Sequence, residues 1–219
     1  TKLPVEVAPI AHYHMGGVVA DAQMRTEVAG LFVAGEVAGG ANGANRLSGN
    51  AVTEALVFGW QAGRSAAQRS RQISVRTPAA GDIREAIDLI AGDSRRQPPN
   101  TAAMIERLQA TMAEDVGPLR TQARLTRARA SLDELDAELG ARPPSGGAFD
   151  LQRLEWFDLR NMLMVARSVT MAALRRAESR GAHAREDFPG MLTQWQVNQF
   201  VSLHDDALTL SGEPAMADT

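Results

Sequence analysis

The hydrophobic period of this 219-residue chain changes once, and that change limits what the chain can fold into. Up to about residue 65 the apolar residues come in short runs punctuated by glycine. Gly17-Val18-Val19-Ala20 reads as a short strand, Asp21 to Gln23 as a turn and Arg25 to Val28 as the return. Leu31-Phe32-Val33-Ala34, bounded by Gly30 and Gly35, has no alternation and predicts a strand covered on both faces. From Asp82 onward the apolar residues recur every three or four positions, the period of helices packed through one stripe. A polar stretch, 71–81, with Pro78 and Gly81, reads as a linker between the two regimes. The expectation is an α+β chain, with short strands and one helix in 1–70 and an antiparallel helical bundle in 82–219.

Local signals sharpen that division. Val5 to Ile10, flanked by Pro4 and Pro9, is restricted to extended conformations. Gly39 to Gly49 is a loop rich in glycine and asparagine, and Asn50 is expected to cap a helix running to about Ser65. Ala51, Ala55, Leu56, Phe58 and Gly59 would form its packing face. In the second region Asp82 to Ala91 is helical with Ile83, Ile87 and Ile90 on one face. Asn100 caps a helix to Glu114, and another is expected over 118–139. Pro143-Pro144-Ser145-Gly146-Gly147 breaks the pattern before Asp150 caps a long helix expected to reach Arg180. Leu154, Phe157, Leu159, Met162, Leu163, Val165, Ala166, Val169 and Leu174 are its expected buried residues, and the chain after Ser211 is expected to fray.

Composition removes several classes of function. A net charge of −3 argues against a nucleic-acid binder, and the absence of cysteine excludes disulfides and thiolate metal sites within this chain. No apolar run approaches the ~18 residues needed to span a bilayer, so no direct membrane insertion is expected. No metal site is expected either. The start of the sequence carries no basic segment followed by an apolar core of the secretory kind.

The chemistry concentrates in two segments, His12-Tyr13-His14-Met15-Gly16-Gly17 and Gly43-Ala44-Asn45-Arg46-Leu47-Ser48-Gly49-Asn50. A lone histidine is more often structural than catalytic, but Gly16 and Gly17 beside His12 permit a backbone to approach a flat ligand closely. Arg46, presented by a loop of small residues with asparagines on either side, suits bidentate binding of a carboxylate. The helix that follows offers its N-terminal amides and dipole to negative charge. Glu36, after the apolar Leu31–Ala34 run, could accept hydroxyl groups.

These two segments, with Gly30-Leu31-Phe32-Val33-Ala34-Gly35-Glu36 between them, resemble the flavoprotein subunits of succinate dehydrogenase and fumarate reductase. L-aspartate oxidase belongs to the same superfamily. The likeness continues through Asn161-Met162-Leu163 and the run Glu178-Ser179-Arg180-Gly181-Ala182-His183-Ala184-Arg185-Glu186-Asp187-Phe188-Pro189, and so covers essentially the whole chain. The resemblance implies that residues 1–70 are the end of an FAD-binding α/β domain and 82–219 the family's helical domain. It implies that His12 and Arg46 bind a carboxylate of a succinate- or fumarate-like substrate. Glu36 would hold the ribityl chain of FAD. Gly16, Gly17, Asn45, Leu47, Ser48, Asn50 and Ala51 would also approach the cofactor, those of 47–51 at its pyrimidine edge.

The sequence departs from the family pattern in three places, which leaves the substrate and electron acceptor open. Asn42 stands where the family usually has histidine and His14 where it has threonine or asparagine. Gly190-Met191-Leu192 replace an Arg-Asp-Asp segment. The ADP-binding Gly-x-Gly-x-x-Gly, the segment bearing the flavin-linking histidine and the capping domain with its proton-donating arginine are not found. The chain alone is therefore expected to be inactive and to need a further N-terminal flavoprotein portion. Expected partners are that portion, a dicarboxylate substrate and an iron–sulfur subunit. The expected location is the cytoplasm, peripheral at the inner face of a bacterial membrane. A non-catalytic helical module that docks an iron–sulfur electron-transfer subunit is the competing reading.

Overall fold

The computed structural model of the chain describes residues 5, 12–74, 77–93, 97–147, 149–205 and 207–214. They fall into two compact units, Thr1–Thr77 and Pro78–Thr219. The extended segment expected over Val5–Ile10 lies, apart from Val5, outside the described residues.

In the first unit a 3-10 turn, Gly35–Val37, packs on helix α1 (Asn50–Ser70). The short apolar runs do not become ladder strands. Val18 bridges Ala38 in parallel, and Arg25 bridges Phe32 in antiparallel fashion. The segment from Arg25 therefore pairs with the chain ahead of it and not with Gly17–Ala20. The cause is a tight reversal: Gly30 takes φ 98, Thr26 N–H donates to Leu31 O at 3.1 Å and Leu31 N–H to Val28 O at 2.9 Å. The turn at Asp21 forms as expected, its carboxylate accepting the Gln23 and Arg25 amides. The strand expected to be covered on both faces is not. Leu31 is 49% exposed and Phe32, Val33 and Ala34 are half-buried; among the described residues only the short segment around Arg25 pairs beside them.

Helix α1 also departs from expectation. Its N-cap is Gly49, in the left-handed region at φ 85, and Asn50 is the first helical residue. The helix extends to Ser70, beyond the expected end at Ser65. Its expected packing face is open, with Leu56 70% exposed, and its single buried side chain is Glu54.

The second unit is a helical bundle with two small sheets. It comprises α2 (Ala80–Ala91), α3 (Thr101–Asp115), α4 (Gln122–Leu139) and α5 (Leu151–Arg175). Strands β1 (Leu119–Arg120) and β2 (Ala184–Arg185) pair in parallel, and β3 (Val197–His204) and β4 (Ala207–Pro214) form an antiparallel hairpin. Asn100 and Asp150 cap α3 and α5 as expected, accepting the Ala103 and Gln152 amides at 3.1 and 2.9 Å. The helix expected over 118–139 starts late, because Leu119–Arg120 extends to pair with β2 and Thr121 then caps α4.

The core follows a 3-4 spacing. In one cluster Leu132, Leu135 and Leu139 of α4 pack with Trp156, Leu159, Leu163 and Ala166 of α5 and with Met104 and Leu108 of α3; in a second, Leu125 and Ala128 of α4 pack with Ala173 of α5 and with Val116. Two expected core residues fall off this seam: Leu154 and Val165 are each 56% exposed. They neighbour seam residues at one or two positions, and residues that close in sequence do not share a helix face. The Trp156 indole N–H donates to Leu139 O at 3.1 Å, satisfying a carbonyl that the end of α4 leaves open. Ile83, Ile87 and Ile90 of α2 are exposed.

Helix α5 stops at Arg175, short of the expected Arg180, for an identifiable reason. The fully buried Arg185 guanidinium donates to the carbonyls of Ala173, Leu174 and Arg176, closing the negative end of the helix with a cation. Its other nitrogens bind Asp187 and Gln122. Beside it the buried Glu178 carboxylate accepts from Arg176, Arg180 and the Leu192 amide. Arg176 also donates to the carbonyls of Trp195 and Val197, and Arg175 to that of Leu210, which ties the hairpin to α5. The chain expected to fray after Ser211 is therefore held in β4 as far as Pro214, paired with Val197.

Candidate functional site

The site lies in the first unit, where the loop from His12 to Gly17, the 3-10 turn, the loop 39–49 and the start of α1 come together. Backbone pairing sets the frame: Val18 N–H donates to Val37 O at 2.8 Å, and Gly39 N–H to Val18 O at 3.0 Å. This approach admits no side chain at Gly17, where a Cβ would sit 2.4 Å from Val37 O and 2.7 Å from Gly39 N. Gly17 is thus required by packing of the chain on itself. Glu36, exposed at the turn, accepts the His14 amide at 2.8 Å.

Arg46 is held from three sides. Its guanidinium lies over the Tyr13 ring, 4.5 Å from the centroid, a cation–π stack. Its Nη1 donates to Leu47 O at 2.9 Å, and its backbone N–H donates to the Asn45 side chain at 2.9 Å. Its Nε–H is buried and has no acceptor among the described residues. Nη2 is not buried in this way and also has no acceptor among the described residues, so it is the nitrogen left for an incoming one.

Behind Arg46 sits a residue that the motifs alone do not reveal. Glu54 accepts from the Tyr13 hydroxyl at 2.5 Å, from Asn50 Nδ2 at 3.0 Å and from Asn42 Nδ2 at 3.2 Å. Donation to Glu54 pushes the Tyr13 phenol above its ordinary value, with burial adding to the effect. The same bond from Tyr13 holds the Glu54 carboxyl below the usual range. Burial opposes it, and Asn42, Asn50 and Arg46 reinforce it. Glu54 is thus a charged acceptor and Tyr13 a neutral donor. The available signal was positional: Glu54 stands one helical turn after Asn50, and Tyr13 lies inside the first motif.

Of the expected site residues, Asn45, Arg46, Leu47 and Asn50 join this cluster, Leu47 through its carbonyl. Asn50 does so by donating to Glu54, not by capping the helix. Glu36 meets the first motif through the His14 amide. His12, Gly16 and Ser48 are exposed and Ala51 is half-buried. No hydrogen bond joins His12 to Arg46 among the described residues. The helix N-terminus carries no side-chain cap, and Asn45, Ser48 and Gly49 are exposed around it. Chemically the face offers a guanidinium edge, a positive helix end and a carboxylate acceptor at Glu36.

Comparison with known proteins gives these features a context. A family model described as fumarate reductase flavoprotein C-term matches residues 105–215. One described as an FAD binding domain matches residues 2–52. A fumarate reductase (CoM/CoB) subunit from Methanothermobacter marburgensis is 41% identical over 197 residues, covering 88% of this chain and 35% of that protein. L-aspartate oxidase from Rhodospirillum rubrum is 41% identical over 190 residues, covering 86% of this chain and 60% of its own length. A solved structure of E. coli quinol fumarate reductase superposes with a TM-score of 0.86 at 29% identity, over 100% of this chain and 39% of that one. The chain thus spans between about a third and three-fifths of the length of these relatives.

Proposed function

The chain belongs to the fumarate reductase flavoprotein family, and from that premise we propose that it forms part of an FAD-dependent oxidoreductase acting on a succinate- or fumarate-like dicarboxylate. The observation that carries this reading is the built presentation of Arg46. Its guanidinium is stacked on Tyr13 and fixed to Leu47 O, and its Nη2 has no acceptor among the described residues. A substrate carboxylate would supply that acceptor, with charge assistance. His12, exposed next to Tyr13, would hold the substrate by hydrogen bonding.

The residues present fit FAD. The uncapped start of α1, with Leu47, Ser48, Asn50 and Ala51, would meet the electron-rich pyrimidine edge, and a helix N-terminus favours negative charge there. Gly16 and Asn45 would line the approach to the ring, Gly17 would keep the backbone close beneath it, and Glu36 would accept ribityl hydroxyls. When bound, FAD would supply the hydride chemistry. The chain's own part is to orient the substrate: a clamped carboxylate fixes the carbon–carbon bond to be oxidised or reduced.

The same reading assigns the partners: a further flavoprotein portion that completes the FAD fold, a dicarboxylate and an iron–sulfur subunit. None of the described helices is long and apolar enough to cross a membrane. The proposed location is cytoplasmic, peripheral at the inner face of a bacterial membrane. The intact support around Arg46 argues against a vestigial domain serving only as a docking module.

Arg46→Ala in the assembled flavoprotein tests the proposal. Flavin content should hold while dicarboxylate turnover falls by roughly a hundredfold or more, as expected for removal of a charge-assisted contact that strengthens in the transition state. Near-normal kcat/KM would sink it.

A further inference from the structure

Among the residues behind Arg46, Glu54 has no role in the proposed chemistry, yet it is the only buried side chain of α1. Burying a carboxylate is costly unless donors satisfy it, and this one has three: Tyr13, Asn42 and Asn50. We infer that Glu54 is a positioning residue for the dicarboxylate, fixing the Arg46 guanidinium through Tyr13. The inference rests on the reading of Arg46 as a carboxylate ligand.

The argument is one of charge and geometry. A glutamate paired directly with Arg46 would neutralise it and compete with the substrate for the same donors. No direct ion pair of Arg46 occurs among the described residues. Instead a phenol stands between the two: its hydroxyl is tethered to Glu54 and its ring face carries the guanidinium. The tether fixes the height and tilt of the ring, and the ring in turn fixes the plane of the guanidinium. With Nη1 committed to Leu47 O and Nε buried, Nη2, which has no acceptor among the described residues, is the nitrogen presented. Asn42 and Asn50 occupy other lone pairs of Glu54, so the acid is held in place and not drawn toward Arg46. Asn42 brings the glycine-rich loop to this anchor, and Asn50 brings the first turn of α1. One buried acid therefore gathers every segment that presents the arginine.

The test is a double-mutant cycle in the assembled, flavin-loaded protein, using succinate and fumarate as probes. Glu54→Gln keeps the size and removes the charge, whereas Tyr13→Phe keeps the ring and removes the tether. Each should raise KM about tenfold while kcat changes less than about threefold, the scale of one lost hydrogen bond to a charged group. Because both act on one linkage, the double variant should be no worse than the worse single variant. KM unchanged in flavin-loaded Glu54→Gln and Tyr13→Phe overturns the inference, as do effects that multiply. Thermal stability lowered without any change in KM also overturns it, since a purely structural acid behaves that way. Arg46→Ala run alongside separates the two readings. If that variant loses turnover while KM in the other two stays normal, only the positioning role fails. If it retains turnover, the carboxylate-binding reading fails and the positioning role with it.

Discussion

The Glu178 carboxylate offers a stability prediction whose magnitude follows from its surroundings. It is fully buried and accepts from Arg180 Nε at 2.7 Å, the Leu192 amide at 2.7 Å and Arg176 Nη1 at 2.8 Å. Burial pushes its pKa up, but the hydrogen bonds from Arg180, the Leu192 amide and Arg176, with the Arg180 charge, outweigh burial and hold it at about 2 in place of 4.5. At about 1.4 kcal/mol per tenfold change, that depression carries roughly 3 kcal/mol of pH-dependent stability. The sign is fixed because the folded pKa is depressed. The contribution is complete above pH 4.5 and is lost as pH falls from there toward about 2. Glu178→Gln leaves Arg176 and Arg180 without their counter-charge, and breaking a buried pair from one side costs about 3–5 kcal/mol. The assay is urea unfolding of the full chain and the variant at pH 7 and across pH 5 to 2.5. The variant should be less stable by about 3 kcal/mol at pH 7 and should show a flatter acid limb. A loss below about 1 kcal/mol, or an acid limb of unchanged slope, would refute this account.

Three further outcomes follow from the packing. Gly17→Ala forces a Cβ to within 2.4 Å of Val37 O, so it should destabilise the first unit by about 1–3 kcal/mol and lower flavin retention in the assembled protein, read by flavin absorbance after gel filtration. Leu132→Ala, at a fully buried seam position, should lose about 2–5 kcal/mol in denaturant unfolding. Val165→Ala, on an exposed face of the same bundle, should stay within about 0.5 kcal/mol of the parent in the same experiment.

The parts of the fold that were legible in the sequence are those specified by neighbours along the chain. Asn100 and Asp150 cap the helices they were expected to cap because a capping side chain reaches only two or three residues. Leu159, Leu163 and Ala166 are buried as expected, but Leu154 and Val165 are not. An apolar residue satisfies a helical period anywhere on a wide stripe, and only the facing helix decides which part of that stripe becomes the seam. Failure was largest where a distant side chain takes over a backbone group. Arg185 ends α5 from ten residues beyond its last turn, and no local signal at Arg175 announces it. The hairpin β3–β4 was hidden for the same reason, since Arg175 and Arg176 hold strands whose own pattern is weakly apolar.

The candidate site divides along the same line. Arg46 and His12 stand out because each is a functional side chain set among small residues and glycines. Glu54 does not, because a glutamate on a helix ordinarily faces water, and only its burial against Tyr13, Asn42 and Asn50 gives it a role. A chain that merely preserved the family's ligands would need none of that support. Here three neutral donors hold one acid in place and leave an arginine free of any carboxylate partner among the described residues. That arrangement keeps the Arg46 charge near Glu54, where it helps hold the carboxylate ionised, without pairing the two directly. An arriving anion would complete it, which makes the indirect Glu54–Tyr13–Arg46 linkage a stronger argument for the proposed carboxylate site than Arg46 by itself.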